Sequence, residues 1–449
     1  MQNKKTVRWV MAAIAIMFAT TLFAQTTATK NVYSIYSMYG IGDLATQGTL
    51  PTRSMGGAGL ALRNGASINL LNPASYSVAV QKGILMDFGA EGGVATNSQP
   101  QASGLNSSTY GMAKLNNIAI QVPITKDLGV GFSVAPYSTI GYYIEDSSYD
   151  MSTGGNYMVL NHQGSGEITE VKLGVGYKLA KGLHVGIAAQ YYWGQLTRYY
   201  SLSLYPIIGS TNFSTAQGVD SYYFSKVKGQ VGIQWEAIAE PTKRLIFGAT
   251  YDLGGNLAPE LTKLMMSGSS TDLIYFYATD EEIYPEINIP HKLSVGGMYQ
   301  TKKWSYAADA TYQDWSDNNS TITTEGLEVA YRKVAQVRLG VEYIPNRMDV
   351  RTYYKRMSYR FGVRAGNYYK SVDGQRMPQW AITTGIGMPM GMLSLSNVDI
   401  GLEYGSAGSH KTVGSGDAAV NLIKQNYFKV SVGITLFGDD YWFQRPKYD

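Results

Sequence analysis

The feature that most constrains the fold is an alternation of apolar and polar residues that recurs from about residue 83 onward. In VKLGVGYKL (171–179), valine, leucine and tyrosine occupy every second position, with lysine and glycine between them. The alternation resumes in LHVGIAAQYYW (183–193) after a short Ala-Lys-Gly connection. Successive side chains of a β-strand point to opposite faces, so this pattern predicts strands with one apolar face.

The connections between the predicted strands alternate in length. Short ones such as 125–127 take turns with long polar ones such as 91–113, 138–167 and 196–224. Short turns on one side and long loops on the other are typical of outer-membrane barrels. The sequence therefore predicts an all-β fold, an antiparallel transmembrane β-barrel of about fourteen strands over residues 83–437. A soluble secreted β-protein is the alternative, and it predicts shorter strands and less regular loops.

The N-terminus carries the features of a secretory signal peptide. Lys4, Lys5 and Arg8 precede an apolar stretch from Trp9 to Ala19, and the small residue Ala24 follows. This order predicts cleavage after Ala24 and hence an exported chain. No later stretch approaches the roughly 20 apolar residues of a transmembrane helix. Together with the barrel pattern, this predicts location in the outer membrane of a Gram-negative bacterium.

Composition and motifs argue against several classes of function. The chain has no cysteine, which excludes disulfides and thiolate metal sites. Three of its four net positive charges lie in the predicted signal peptide, so nucleic acid is not an expected partner. The chain has no nucleophile-elbow, phosphate-loop or zinc-protease motif, and its four histidines are scattered. We therefore predict no catalytic residues, no metal and no cofactor.

Residues 25–82 break the strand pattern. The segment is rich in glycine, serine and asparagine, yet it also contains many leucine and tyrosine residues. It could form a periplasmic tail or a plug, but its apolar content is too high for a free tail. A barrel of fourteen strands also has a lumen wide enough to need filling. We therefore interpret this segment as a plug inside the barrel.

Two motifs in this segment carry a family resemblance. MGGAG contains Gly56, Gly57 and Gly59, and the triplet Asn72-Pro73-Ala74 follows shortly before the first predicted strand. With the signal peptide and the fourteen strands, these motifs resemble the FadL/TodX family of outer-membrane transporters for hydrophobic compounds. The resemblance implies that the segment is an N-terminal hatch that carries Asn72, Pro73 and Ala74. We expect the triplet to shape the base of the hatch.

The resemblance also implies a function. It predicts uptake of hydrophobic compounds such as long-chain fatty acids, with a lateral exit through the wall. The implied partners are a hydrophobic small molecule or lipid, together with the lipids and lipopolysaccharide of the outer membrane. Inward cations are candidates for holding an acidic ligand head, although pairing with Asp309, Glu342 or Glu403 is the alternative. The candidates are Lys172, Lys228, Arg338 and Arg364.

A different function on the same scaffold stays open, because a fold does not determine a function. The chain departs from the family pattern in continuing past the last strand with GDDYWFQRPKYD (438–449). This predicted periplasmic tail leaves room for a protein partner in the periplasm or outer membrane. The barrel would then be a structural or docking subunit of an envelope secretion or assembly complex. A general polar porin is a third possibility, and it predicts an unplugged lumen.

Overall fold

The structure is a computed structural model, and it describes most of the chain after residue 33. The described residues are 34–78, 83–101, 104–150, 156–206, 214–269, 273–278, 286–318, 322–324, 327–391, 395–414 and 419–438. The predicted signal peptide (1–24) lies outside them, as does the predicted tail except for Gly438. No helix in the described part of the chain is long and apolar enough to cross a membrane.

Fourteen antiparallel strands form the wall, which confirms the predicted fold class and strand number. They are β1 (Ile84–Gln101), β2 (Gly104–Pro123), β3 (Leu128–Asp150), β4 (Asn156–Ala180), β5 (Leu183–Pro206), β6 (Ser214–Ala239), β7 (Lys243–Asp252), β8 (Lys292–Thr301), β9 (Trp304–Asp314), β10 (Lys333–Tyr343), β11 (Ser358–Val372), β12 (Gln375–Pro389), β13 (Asn397–Gly408) and β14 (Lys424–Gly438). Each pairs with its neighbour, and β1 pairs with β14 from Ile84↔Gly438 to Ser98↔Lys424. This last pairing closes the barrel.

The two faces of the wall have the chemistry that the alternation predicts. On β4, Leu173 and Leu179 are more than half exposed, whereas Lys172, next to Leu173, is buried. Exposed tryptophans mark two levels, with Trp235 near the short turns and Trp193 about ten residues along its strand. An apolar outer band bounded by aromatic residues is the surface of a membrane-spanning barrel. The wall strands are also longer than the soluble alternative predicts.

The predicted long loops are wrong in part, because several of them are strands. Residues 91–101 continue β1, and residues 104–113 begin β2. The hairpin of β4 and β5 stays paired as far as Asn156↔Pro206. Beyond the membrane a strand pair needs no apolar face, so these polar stretches lack the alternation that reveals a membrane strand. Sequence periodicity therefore located the turns but shortened the strands.

Shorter elements complete the described structure. The N-terminal segment contains a 3-10 helix (Ile35–Met38), an α-helical turn (Leu50–Arg53) and a second 3-10 helix (Pro73–Val78), and a fourth helical turn (Tyr353–Lys355) lies between β10 and β11. Nine short strands lie outside the fourteen wall strands. They are Asp43–Leu44, Gly255–Asn256, Glu260–Ser269, Leu273–Ala278, Asn288–Ile289, Ile322–Thr324, Leu327–Tyr331, Thr412–Val413 and Val420–Asn421. Glu260–Ser269 pairs with the first half of β6, residues 214–223, and so extends the wall there.

Candidate functional site

The candidate site is the lumen, which is occupied by the N-terminal segment (residues 34–78). Wall residues that contact this segment alternate with residues that are exposed on the outer face. On β6, for example, Gly232 contacts Asn72, while Val231 and Ile233 on either side are more than two-fifths exposed. The segment therefore lies inside the barrel. Most of its residues are buried, including the charged Arg53 and Arg63.

Asn72-Pro73-Ala74 packs directly against the wall. The Asn72 side chain is fully buried and donates from Nδ2 to the backbone oxygen of Ile233 at 3.0 Å. Its Oδ1 accepts from the Ala74 N–H at 3.0 Å, which forms a turn closed by the asparagine side chain. Pro73 starts the second 3-10 helix, where its fixed φ and missing N–H are suited to a first position. The triplet thus turns the chain and joins it to β6.

The wall strands carry many glycines where they contact the segment. A Cβ added to any of twelve wall glycines would lie 3.0 Å or less from an atom of residues 50–76. We call this set the glycine belt. Its members are Gly129, Gly131, Gly174, Gly176, Gly186, Gly232, Gly248, Gly340, Gly362, Gly385, Gly401 and Gly433. They belong to ten of the fourteen strands, and each lies within seven residues of the short-turn end of its strand.

At six of the twelve belt positions an added Cβ would lie 3.0 Å or less from a main-chain atom of the segment, and at the other six it would meet a side chain. A Cβ on Gly186 would lie 2.4 Å from the Ala74 nitrogen, and one on Gly362 would lie 2.0 Å from the Gly56 nitrogen. Gly176, Gly186 and Gly232 are register partners across three strands, so they form one smooth floor under Pro73. Glycine permits such close approach because it has no side chain. The belt therefore leaves no gap between the wall and residues 50–76 at these contacts.

The glycine-rich motif at residues 55–59 contacts other strands of the wall than those that lie under Pro73. Gly56 and Gly57 have positive φ values of 71° and 83°, a conformation that residues with a Cβ seldom adopt. The Gly56 N–H donates to Thr383 Oγ1 at 2.8 Å. The Gly59 N–H donates to Asp309 Oδ2 at 2.7 Å. A buried wall carboxylate and a buried wall hydroxyl therefore hold the motif in place.

A second polar contact holds the end of the segment. His184 Nδ1 lies 2.6 Å from Ser77 Oγ, and His184 Nε2 lies 2.7 Å from the Arg63 guanidinium. Arg63 Nη1 also lies 3.6 Å from Glu236. Burial lowers the pKa of Arg63 to about 10, which leaves it charged at neutral pH. The arginine therefore meets the histidine as a donor.

The opposite end of the segment enters a hydrophobic core. Tyr36 and Ile41 join buried side chains contributed by wall strands and by the long-hairpin connections. We call this cluster the aromatic core. Tyr137 and Tyr192 pack edge to face at 4.7 Å, and Trp315 lies 4.5 Å from Tyr369. Its members come from six wall strands and from connections at the long-hairpin end, so the core occupies the lumen at that end.

The structure gives protein partners to the four predicted ligand-head cations. Lys172 Nζ donates to Leu70 O at 3.1 Å and pairs with Glu170 at 3.1 Å. Lys228 donates to Gly255 O at 2.6 Å. Arg364 Nη1 lies 3.1 Å from Glu403 Oε2. Arg338 Nε donates to Gln336 Oε1 at 3.0 Å, and no carboxylate in the described part of the chain is within ion-pair distance of it. Ligand binding by these four residues stays a prediction.

Several inward charged residues were missed from the sequence. Glu91 accepts a hydrogen bond from Arg53 and lies 3.5 Å from Lys114 and 3.7 Å from Lys429. Glu91 fell in a predicted loop because its strand was ended too early. Arg360, which pairs with Glu342 at 2.8 Å and also with Asp399, shares the inward face of β11 with Arg364. Residues four apart on a strand lie on the same face, so the spacing of these two arginines was a signal in the sequence that Arg360 also points inward.

Comparison with known proteins identifies a family and a fold. The sequence model of the family described as BamG matches residues 6–449. Among curated proteins, none matches the sequence of this chain.

Solved structures with a similar fold include a FadL homologue, a toluene transporter and a monoaromatic hydrocarbon channel, all at low identity. A Pseudomonas aeruginosa FadL homologue has a TM-score of 0.56 at 13% identity and covers 88% of this chain and 99% of its own. The P. putida toluene transporter TodX has a TM-score of 0.54 at 15% identity, with 88% and 99% covered. The CymD monoaromatic hydrocarbon channel has a TM-score of 0.53 at 13% identity, with 87% and 97% covered. These likenesses confirm the predicted FadL/TodX-type fold.

Proposed function

The chain belongs to the BamG family, and we propose that it acts in the outer membrane as a closed barrel that docks other proteins of an envelope secretion or assembly complex. Residues 34–78 would be the hatch of this barrel, and the hatch would stay seated while the protein works. The observation that supports this most strongly is the glycine belt. Twelve wall positions without side chains let residues 50–76 lie directly on the wall, and six of them do so by main-chain contact. A plug that moved in each transport cycle would have to break these close contacts every time. The fit therefore favours a segment that stays in place.

The aromatic core supports the same proposal from the other end of the lumen. An apolar compound entering from the long-hairpin side would meet side chains that already pack against one another. Between the core and the belt lies a cavity of about 230 Å³ whose lining includes Glu91, Lys114 and Arg364. Charged groups are an unfavourable surface for a hydrocarbon, because apolar ligands bind where apolar area is removed from water.

Two parts of the chain are the proposed docking surfaces. One is the tail that follows β14, with the sequence DDYWFQRPKYD after Gly438. Aromatic and arginine residues are enriched where proteins contact one another. The other is the group of extended hairpins, of which β4 has 25 residues and β5 has 24. These strands exceed the 9–11 residues or so that cross a bilayer, so they present polar surface beyond it.

The test is purification of the tagged full chain from native outer membranes in a mild detergent. Proteins and lipids that accompany it are quantified by mass spectrometry. We expect at least one protein in stoichiometric amount, and we expect a chain truncated after Gly438 to recover less of it. The truncated chain keeps all fourteen strands, and its heat-modifiable migration in gels checks assembly. A stoichiometric apolar ligand without any partner protein would overturn the docking proposal.

Uptake of hydrophobic compounds is a second candidate, because the fold is that of hydrophobic-compound channels. In this case a long-chain fatty acid or a hydrocarbon would pass the hatch and leave laterally through the wall. The test is uptake of labelled oleate and toluene by cells with and without the chain. A loss of uptake that the wild-type chain restores would favour this candidate, and equal uptake would reject it.

A further inference from the structure

The lumen cavity of about 230 Å³ has an unusual electrostatic character. It lies between residues 43–53 of the N-terminal segment and the inner faces of strands that include β1, β2, β10, β11 and β14. Six cationic side chains line it, whereas Asp43 and Glu91 are its lining carboxylates. The cations are Arg53, Lys114, Lys292, Arg338, Arg364 and Lys429.

The carboxylates behind the lining do not balance these charges. Glu403 pairs with Arg364, and Asp252 pairs with Lys292 at 3.1 Å. Counting both gives six cations against four carboxylates, an excess of two positive charges. Asp309 lies near Arg338, but its Oδ2 accepts from the backbone N–H groups of Gly59 and Leu60. Cations remain in excess by one when Asp309 is included, and also when the count is widened to Glu167, which faces Lys114, and Lys370, which faces Asp43.

The excess is concentrated at two places on the lining. At the first, Arg53, Lys114 and Lys429 share the single carboxylate of Glu91. Arg53 is 6% exposed, and its Nε has no hydrogen-bond partner among the described residues. At the second, Arg338 has the amide oxygen of Gln336 as its acceptor and faces the like charge of Arg364.

Such an arrangement is unfavourable without an additional anion. A buried charge is tolerated when it is paired, and an unpaired one costs several kcal/mol or more. Guanidinium and ammonium groups that converge on one space are the usual ligands of phosphate oxygens, because the arginine fork donates two parallel hydrogen bonds. The six lining cations also distinguish this space from a pocket for an acyl chain.

We propose that this cavity is a binding site for a phosphate-class oxyanion, which Arg53, Lys114 and Lys429 hold on one side and Arg338 and Arg364 hold on the other. The anion can come from free phosphate or from the phosphate of a lipid headgroup. It neutralises the excess charge and joins the N-terminal segment, through Arg53, to the wall. This inference does not depend on whether the barrel docks proteins or transports hydrophobic compounds.

The experiment uses the purified full chain in detergent micelles. Total phosphorus is measured after exhaustive exchange into phosphate-free buffer, and inorganic phosphate is then titrated at constant ionic strength by calorimetry. Retained phosphorus at one equivalent indicates a tightly held lipid headgroup, and saturable titration indicates a site for free phosphate. Either result supports the proposal. If the purified chain retains no phosphorus and shows no saturable phosphate binding, the proposal is overturned.

Matched variants assign the site. Combining Arg338→Gln with Lys429→Gln removes one cation from each of the two places and keeps a polar side chain at both positions. We expect a loss of at least about tenfold in phosphate affinity or of the retained phosphorus. Arg338→Lys keeps the charge without the fork, so its affinity should lie between those of the double variant and the wild type. Lys333→Gln on the same strand is the control, because Lys333 is exposed. Wild-type binding by a correctly assembled double variant would overturn the assignment.

Discussion

The two ends of the N-terminal segment are held by different kinds of contact. Residues 34–48 enter the aromatic core, where side chains from many strands pack against Tyr36 and Ile41. Residues 50–76 lie on the glycine belt, where main chain and side chains of the segment lie directly on the backbone of the wall. The first end depends on side-chain volume that neighbours can share. The second depends on the absence of side chains at fixed positions of the wall.

This difference predicts unequal responses to substitution. A core of large side chains repacks around a volume-conserving change at a cost below about 1.5 kcal/mol. A backbone contact has no rotamers to adjust, so a new side chain must move a strand or the segment. A substitution in the belt should therefore release the segment. A volume-conserving substitution in the aromatic core should lower the stability of the seated segment only slightly. Four predictions follow this order, from the largest effect to the smallest.

Gly186→Val should have the largest effect. A Cβ at this position would lie 2.4 Å from the Ala74 nitrogen, so residues 73–74 cannot stay seated. The wall should still assemble, because valine is a good strand former. We expect the segment to be unseated altogether, so that protease removes it as fast as an unprotected chain, measured on the barrel in lipid vesicles. Gly111→Val is the control, because nothing lies within 4 Å of a Cβ there. Equal protection of both variants would contradict the belt's role.

Glu91→Gln tests the charged wall beside the segment. The change leaves Arg53, Lys114 and Lys429 without their shared carboxylate. Removing one partner of a buried ion pair typically costs about 3–5 kcal/mol, and we expect a loss of that order in the free energy of unfolding. Urea titration in vesicles measures it. Asp127→Asn is the control, because the Asp127–Lys178 pair is about half exposed and should contribute little. A loss no larger than that of the control would refute the prediction.

The double change of Asn72→Ala and Pro73→Ala tests the triplet itself. It removes the buried side-chain donor to Ile233 O and the turn that precedes the second 3-10 helix. We expect the segment to open more easily by about 1–3 kcal/mol, with barrel assembly intact. Hydrogen exchange of residues 60–78 measures the opening. Asn64→Ala, at a half-buried asparagine of the same segment, should change exchange less. Failure of the double variant to assemble would assign the triplet a purely structural role.

Tyr36→Phe should have the smallest effect, because it leaves the aromatic core filled. It removes the hydrogen bond from the tyrosine hydroxyl to Ile423 O. We expect a loss of about 0.5–1.5 kcal/mol in segment stability, again by hydrogen exchange. Tyr36→Ala, which also empties the ring site, should cost more. If Tyr36→Phe proved as damaging as Gly186→Val, the distinction between the two ends would be wrong.

The wall could be predicted from the sequence because lipid imposes a simple code on it. Alternation on β4, the short turns and the aromatic positions each report contact with the membrane. That code ends where the strands leave the bilayer, which is why residues 91–113 read as a loop. The inward face carries a weaker signal, since lysine, glycine and arginine all occur there for different reasons.

The candidate site was predictable only in its motifs. Gly56, Gly57 and Asn72-Pro73-Ala74 stand out in the sequence, and the structure shows what each of them contacts. Their partners on the wall do not stand out. Glycines are common in strands of this chain, and only the register between strands reveals that Gly176, Gly186 and Gly232 form one floor. The charges around Glu91 likewise converge only when β1, β2 and β14 are brought together by barrel closure.

The central claim, that the barrel works with its N-terminal segment seated, is tested most directly by locking the segment in place. The chain has no cysteine, so engineered pairs report cleanly. Cysteines at Leu50 and Gly433 would have Cβ atoms 3.0 Å apart, close enough for a disulfide after a small shift, and the nearest atoms to the new Cβ at 433 all belong to the Leu50 side chain. We predict that oxidised and reduced forms recover the same partner proteins and support cell growth equally, as do the single-cysteine controls. Loss of function on oxidation that dithiothreitol restores would show that the segment must move, and it would contradict the closed-barrel account.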